Sequence, residues 1–171
     1  MLPLVRTTWL AIALAACGGS KDGGADWSAR PLETVTGKVG VLAYTIQLPH
    51  GLAPEAHETE GITIGYEASP RDVTAPSVMI GYEALPPKSV EDAVADTMPG
   101  PDDEIVRKDK LDDLYIVTTR AHSHKHWKVN VFRLSGQRGV DCMAQQASNR
   151  GELGESSRAL LEKICLSLVV R

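Results

Sequence analysis

Three histidines at alternate positions, His122, His124 and His126 in the stretch AHSHKHW, are by type and spacing the residues best suited to hold a metal ion. Imidazole nitrogens bind zinc at about 2.0 Å, so the donors must converge on one point. Residues two apart on a strand point the same way with Cα atoms roughly 6.6–6.8 Å apart, so either neighbouring pair can chelate. In a straight strand the outer two lie about 13 Å apart, and all three meet one ion only where the backbone bends. A bend is expected, because the segment is the polar stretch between two strand-like runs, LYIVTTRA and HWKVNVFRL. The same bend would equally let the imidazoles splay into water. Two readings therefore stand: a metal site completed by Asp112, Asp113 or water, and a polar hairpin tip. No cofactor is expected. The sequence holds no HExxH, GxSxG, phosphate-binding Gly-rich loop, dinucleotide fingerprint or CxxC. His50 and His57 stand singly in the loop PHGLAPEAH, and no nucleophile, base and orienting group can be assembled. The expectation is a protein that is not an enzyme.

The cysteines carry the second kind of chemistry. MLPLVRTTWLAIALAACGGS has one early basic residue, Arg6, an apolar run from Trp9 to Ala16, and small residues before Cys17, the layout of a secretory signal. The run falls short of the about 20 apolar residues that a membrane-spanning helix needs. Leu14-Ala15-Ala16-Cys17 resembles the lipobox of bacterial lipoproteins. That resemblance implies cleavage before Cys17 and acylation of the cysteine, which would tie the chain to a lipid bilayer. Several acyl chains at about 0.8 kcal/mol per buried methylene hold a protein stably where one would not. Setting Cys17 aside leaves Cys142 and Cys165 of the three cysteines. Export delivers them to an oxidising compartment, where a disulfide between them is expected.

Cleavage would leave 171 − 16 = 155 residues, and loss of Arg6 would take the formal charge from −4 to −5. That length suits one domain with a real core. Mild acidity offers no footprint for nucleic acid and no polybasic patch for anionic lipid.

These residues need elements to position them. Residues 17–32, including GGSKDGGADWSARP, read as a flexible polar tether spanning roughly 20 Å, within which Trp27 either rests on the membrane interface or docks on the domain. From 33 to 171 a single α+β domain is expected. VGVLAYTIQLP (39–49) reads as a strand ending at Pro49 and Gly51. GITIGYEASP and SVMIGYEALP share I-G-Y-E-A-x-P and read as a hairpin, with Ile64, Tyr66, Ala68, Ile80, Tyr82 and Ala84 on one face and Gly65, Glu67, Gly81 and Glu83 on the other. The tyrosines are expected to pack; the alternative is a ligand surface on the paired glycines, tyrosines and glutamates. Ser89 caps a helix over VEDAVADTM that must stop at Pro99-Gly100-Pro101. EIVRKDKL, LYIVTTRA, HWKVNVFRL and VDCMAQQA follow as an antiparallel meander. In the third, Trp127, Val129 and Val131 share a face opposite Lys128 and Asn130. A closing helix over about 152–168 turns Leu160, Leu161, Ile164, Cys165 and Leu168 inward.

In TIQLPHGL, HWKVNVFRL, VDCMAQQ and ALLEKICLSLVV the domain resembles the PsbP-like and DcrB-like α/β/α sandwiches, over about residues 33–171. The resemblance implies a central antiparallel sheet with helices on its faces, and assembly or accessory roles in membranes without catalysis. The functional expectation is a non-catalytic periplasmic lipoprotein, held in the outer membrane because Gly18 stands where an aspartate would retain it in the inner membrane, that binds another envelope component, with an envelope protein as partner, or helps assemble one. The alternative is a metal-binding envelope protein using His122, His124 and His126.

Overall fold

The structure, a computed structural model, describes residues 26–55, 62–68, 72–121, 125–149 and 151–171. The run 39–49 is not one strand. Gly40, at φ 53°, takes a left-handed conformation that β-branched residues avoid, and the chain folds back there. Strands β1 (Leu32–Val39) and β2 (Leu42–Pro49) are thus antiparallel partners, with Val35 opposite Ile46. Strand β1 escapes sequence reasoning because its side chains, LETVTGKV, are mostly polar and largely exposed, as suits an edge. Gly37 lies opposite Tyr44, and a Cβ there would strike the phenol ring. The Tyr44 hydroxyl shares a 2.8 Å hydrogen bond with that of Tyr66, and burial, reinforced by this neighbour, raises its pKa.

The main sheet contains β3 (Leu52–Pro54), β4 (Thr63–Ala68), β5 (Ser77–Glu83), β6 (Asp103–Leu111), β7 (Leu114–Ala121), β8 (His126–Ser135) and β9 (Arg138–Ala147). Its order is β3-β4-β5-β9-β8-β7-β6, antiparallel throughout. The two IGYEA runs pair as β4 and β5, with Ile64 opposite Ile80. The meander from β6 to β9 turns at Asp112, which takes φ 36°, and at Gly136, with φ 63°.

Period-2 alternation gives this sheet two faces with different covers. On one face Val78, Ile80, Ile116, Val129, Val131, Val140 and Cys142 are buried under helix α2 (Glu155–Leu166) and a small sheet. That small sheet has the order β1-β2-β10, where β10 (Val169–Val170) was not foreseen. The helical stripe Leu160, Leu161, Ile164 and Cys165 supplies the packing, and a disulfide joins Cys165 to Cys142, with Cα atoms 5.4 Å apart. Trp27, in a short 3-10 helix (Trp27–Ala29), docks on the domain: it is 2% exposed, and its indole N–H donates to Asp72 at 3.0 Å. Glu162 of α2 is anchored by Arg107, Thr118 and Arg158.

The opposite face carries helix α1 (Val90–Thr97), capped as expected by Ser89, whose hydroxyl accepts from the Asp92 N–H at 3.0 Å. Ala93, Tyr115, Val117 and Phe132 form a second, smaller core beneath it. The architecture is therefore the expected α+β arrangement, an antiparallel sheet with a helix on each face.

Candidate binding face

Helix α1 packs on β7 and β6 and, over Phe132, on β8, so β4, β5 and β9 have no helix above them on this face, although Pro86 sits over Gly139 at one end of β9. The residues on the open half follow from register. Met79 of β5 lies directly opposite Met143 of β9, with Gly65 on the outer side of Met79 and Asn130 on the outer side of Met143. One step along, Gly81 lies opposite Asp141; one step the other way, Ser77 lies opposite Gln145 and Gln145 opposite Lys128.

At one end of this face sits an acidic group. The Asp141 carboxyl folds over Gly81 and accepts from the backbone N–H groups of Gly81 and of Asp141 itself; a Cβ at position 81 would collide with it. Burial pushes the Asp141 pKa up to about 6 despite those two bonds. Glu83, one strand position further, is pushed up to about 7 by burial first and then by the charges of Asp141 and Asp96. Among the described residues neither acid forms an ion pair.

The rim toward α1 is polar and tied down. The Lys128 ammonium donates to the Thr97 carbonyl at 2.7 Å, and the Asn130 amide donates to the Thr97 hydroxyl at 3.0 Å. Burial lowers the Lys128 pKa, with Asp103 opposing. The Asn130 Oδ1 atom is buried and has no partner among the described residues.

At the other end the face runs into a cleft of about 560 Å³ lined by Glu67, Asp72, Ser77, His126 and Gln145. Burial acts to raise the Asp72 pKa, but hydrogen bonds from Thr74 and Trp27 and the charge of Arg30 outweigh it and hold the carboxyl below its usual range. Asp72 is therefore a structural acid that fastens Trp27.

His126 opens β8 opposite Ala147 and reaches this cleft half-buried. His122 and His124 lie outside the described residues, as do Cys17 and His57. Among the described residues no group of three or more His, Cys, Asp or Glu side chains is placed to hold a metal ion. Asp112 and Asp113 cannot complete a site with His126. They form the β6–β7 turn, whereas His126 stands at the far end of β7, a strand of eight residues or roughly 26 Å. Asp113 is instead the partner of Arg133, at 3.0 Å.

Tyr66 and Tyr82 pack into the main core, but Gly65, Glu67, Gly81 and Glu83 do line the open face. Asp141 and Met143 were not singled out from sequence, although the buried alternation of Val140, Cys142 and Ala144 already assigns them to the other side. No family model and no curated protein matches the sequence. Among solved structures, cyanobacterial PsbP (CyanoP) from Synechocystis sp. PCC 6803 superposes with a TM-score of 0.56 at 13% identity, over 92% of this chain and 99% of that one. The chain has a PsbP-like fold. A Bacteroides thetaiotaomicron protein gives a TM-score of 0.44 at 9% identity, over 75% of this chain and 45% of its own, too distant to bear on the comparison.

Proposed function

We propose that this protein is a non-catalytic accessory module of the bacterial envelope, anchored through acylated Cys17 in the outer membrane and facing the periplasm, that binds another envelope protein. The observation that carries this reading is the half-covered sheet face, where a methionine pair and acids that form no ion pair among the described residues stand beside a single helix. A sheet face normally buries its apolar residues against another layer, and an uncovered one is a surface for a partner. The PsbP-like fold supports the same role, since the resemblance implies assembly or accessory work. The lipobox-like Leu14 to Cys17 supports the anchor.

Two measurements on the full chain test it. Mass spectrometry of the membrane-extracted protein should find the acyl groups on Cys17, and Cys17→Ser should release the chain from the membrane. Crosslinking in intact envelopes should give a protein partner that persists after chelation and in the His122→Ala, His124→Ala, His126→Ala triple variant. An unacylated Cys17 removes the anchor, and crosslinks lost on chelation would transfer the function to metal.

A further inference from the structure

The half of the face beside α1 has the dimensions of a second helix. Neighbouring strands are about 4.8 Å apart and packed helices 8–10 Å apart, so a helix lying next to one on β7 would rest over β9 and β5. Residues Ser77–Glu83 run about 20 Å along the face, the length of roughly 13 residues of helix. The floor suits an apolar stripe: Met79 lies opposite Met143 at its centre, and the glycines beside them are covered by acids, Gly65 by the Glu55 side chain and Gly81 by the Asp141 carboxyl. Methionine is unbranched and adapts to the shape laid on it.

Charge selects the occupant further. Some acids have cationic partners, as Glu162 has Arg107 and Arg158, and Asp113 has Arg133, while solvent-facing acids such as Glu91 and Glu104 have none among the described residues. The acids gathered around this face, Glu67, Glu83, Asp96 and Asp141, have none among the described residues either. Lys128, a cation at its edge, is held by Thr97, and the nearby Asn130 Oδ1, on a side chain 5% exposed, is an acceptor without a donor among the described residues. Among the described residues the acids of this surface outnumber its cations, Lys128 and Lys125, and a partner bringing positive charge would balance them.

We propose that the sheet face over β5 and β9 is the docking site for a cationic amphipathic helix of a partner protein. The inference rests on the accessory-module reading and names the chemistry of its partner. The apolar side of the helix covers Met79 and Met143, while its Lys or Arg side chains reach Glu83, Asp96 and Asp141. Docking competes with protons for the Glu83 and Asp141 carboxyls, so it strengthens as pH rises through their titration.

The test uses the full chain in zwitterionic lipid nanodiscs, with empty nanodiscs as the blank. The probe is a fluorescein-labelled helix of about four turns built from Lys, Leu and Ala, and its counterpart has Glu in place of Lys. The Lys probe should bind saturably and more tightly at pH 8 than at pH 5.5. It should slow peroxide oxidation of Met79 and Met143, and weaken about tenfold or more in the Glu83→Gln, Asp96→Asn variant. Glu91→Gln and Glu104→Gln, exposed acids elsewhere, should leave affinity unchanged. Absence of saturable binding, equal binding of the Glu probe, or indifference to Glu83→Gln, Asp96→Asn overturns the proposal. So does protection of the same methionines by self-association, which sedimentation would reveal. An envelope partner found by crosslinking together with a failed peptide test would sink the helix and leave the accessory role standing; failure of both would remove both.

Discussion

The acidic pair on the open face should make this protein less stable in mildly alkaline than in mildly acidic solution. In the folded chain Glu83 titrates near 7 and Asp141 near 6, against ordinary values of 4.5 and 3.8. Between those limits the folded state binds more protons than the unfolded one, so stability falls as pH rises. The contribution is fully present below about pH 4 and is lost as pH passes the folded values. At about 1.36 kcal/mol per pH unit the two groups taken as fully buried would each cost roughly 3 kcal/mol. Glu83 is substantially open to solvent and part of its effect is mutual repulsion with Asp141, so about 1–2 kcal/mol for Glu83 is the realistic size. Urea unfolding at pH 5 and pH 8 measures the difference. Glu83→Gln should be near neutral at pH 5 and should stabilise by about 1 kcal/mol at pH 8. Comparing variant with wild type cancels the contributions of all other groups. A wild type equally stable at both pH values, or a Glu83→Gln variant with an unchanged pH slope, would refute the account of this site.

Other consequences are simpler to read. Replacing Cys142 and Cys165 together by alanine opens a cross-link spanning 23 residues and should cost roughly 3 kcal/mol in thermal or urea unfolding. Leu161→Ala empties a fully buried position between α2 and the sheet and should cost about 3 kcal/mol by the same measurement. Ser89→Ala removes the hydroxyl that accepts from Asp92 and should cost about 1 kcal/mol, with faster amide exchange confined to the first turn of α1.

What was legible in the sequence is what is local. Alternation identified the buried face of β8 and the hairpin of the IGYEA runs because each strand's pattern is written in its own residues. The cap at Ser89 and the inner stripe of α2 are local for the same reason. The polar edge strand β1 and the two-residue β10 lack such a pattern, and the β1–β2 turn hides in one glycine inside an apolar run. The open face belongs to a third kind. Met79 and Met143 face one another only because β5 pairs with β9, across the whole of α1 and three strands of sequence, and no local pattern encodes that pairing. Yet the shortage of cover follows from counting. Seven strands at about 4.8 Å make a sheet roughly 30 Å wide, and one helix is only about 10 Å across. With α2 and the small sheet occupying one side, eight residues of α1 cannot cover the other. The half left open is the half nearest β4 and β5, because α1 enters directly from β5 and leaves directly into β6, the far edge strand onto which it packs. The acids could gather on that open half because water reaches their outer side; beneath a second helix of this chain, each would have needed an arginine.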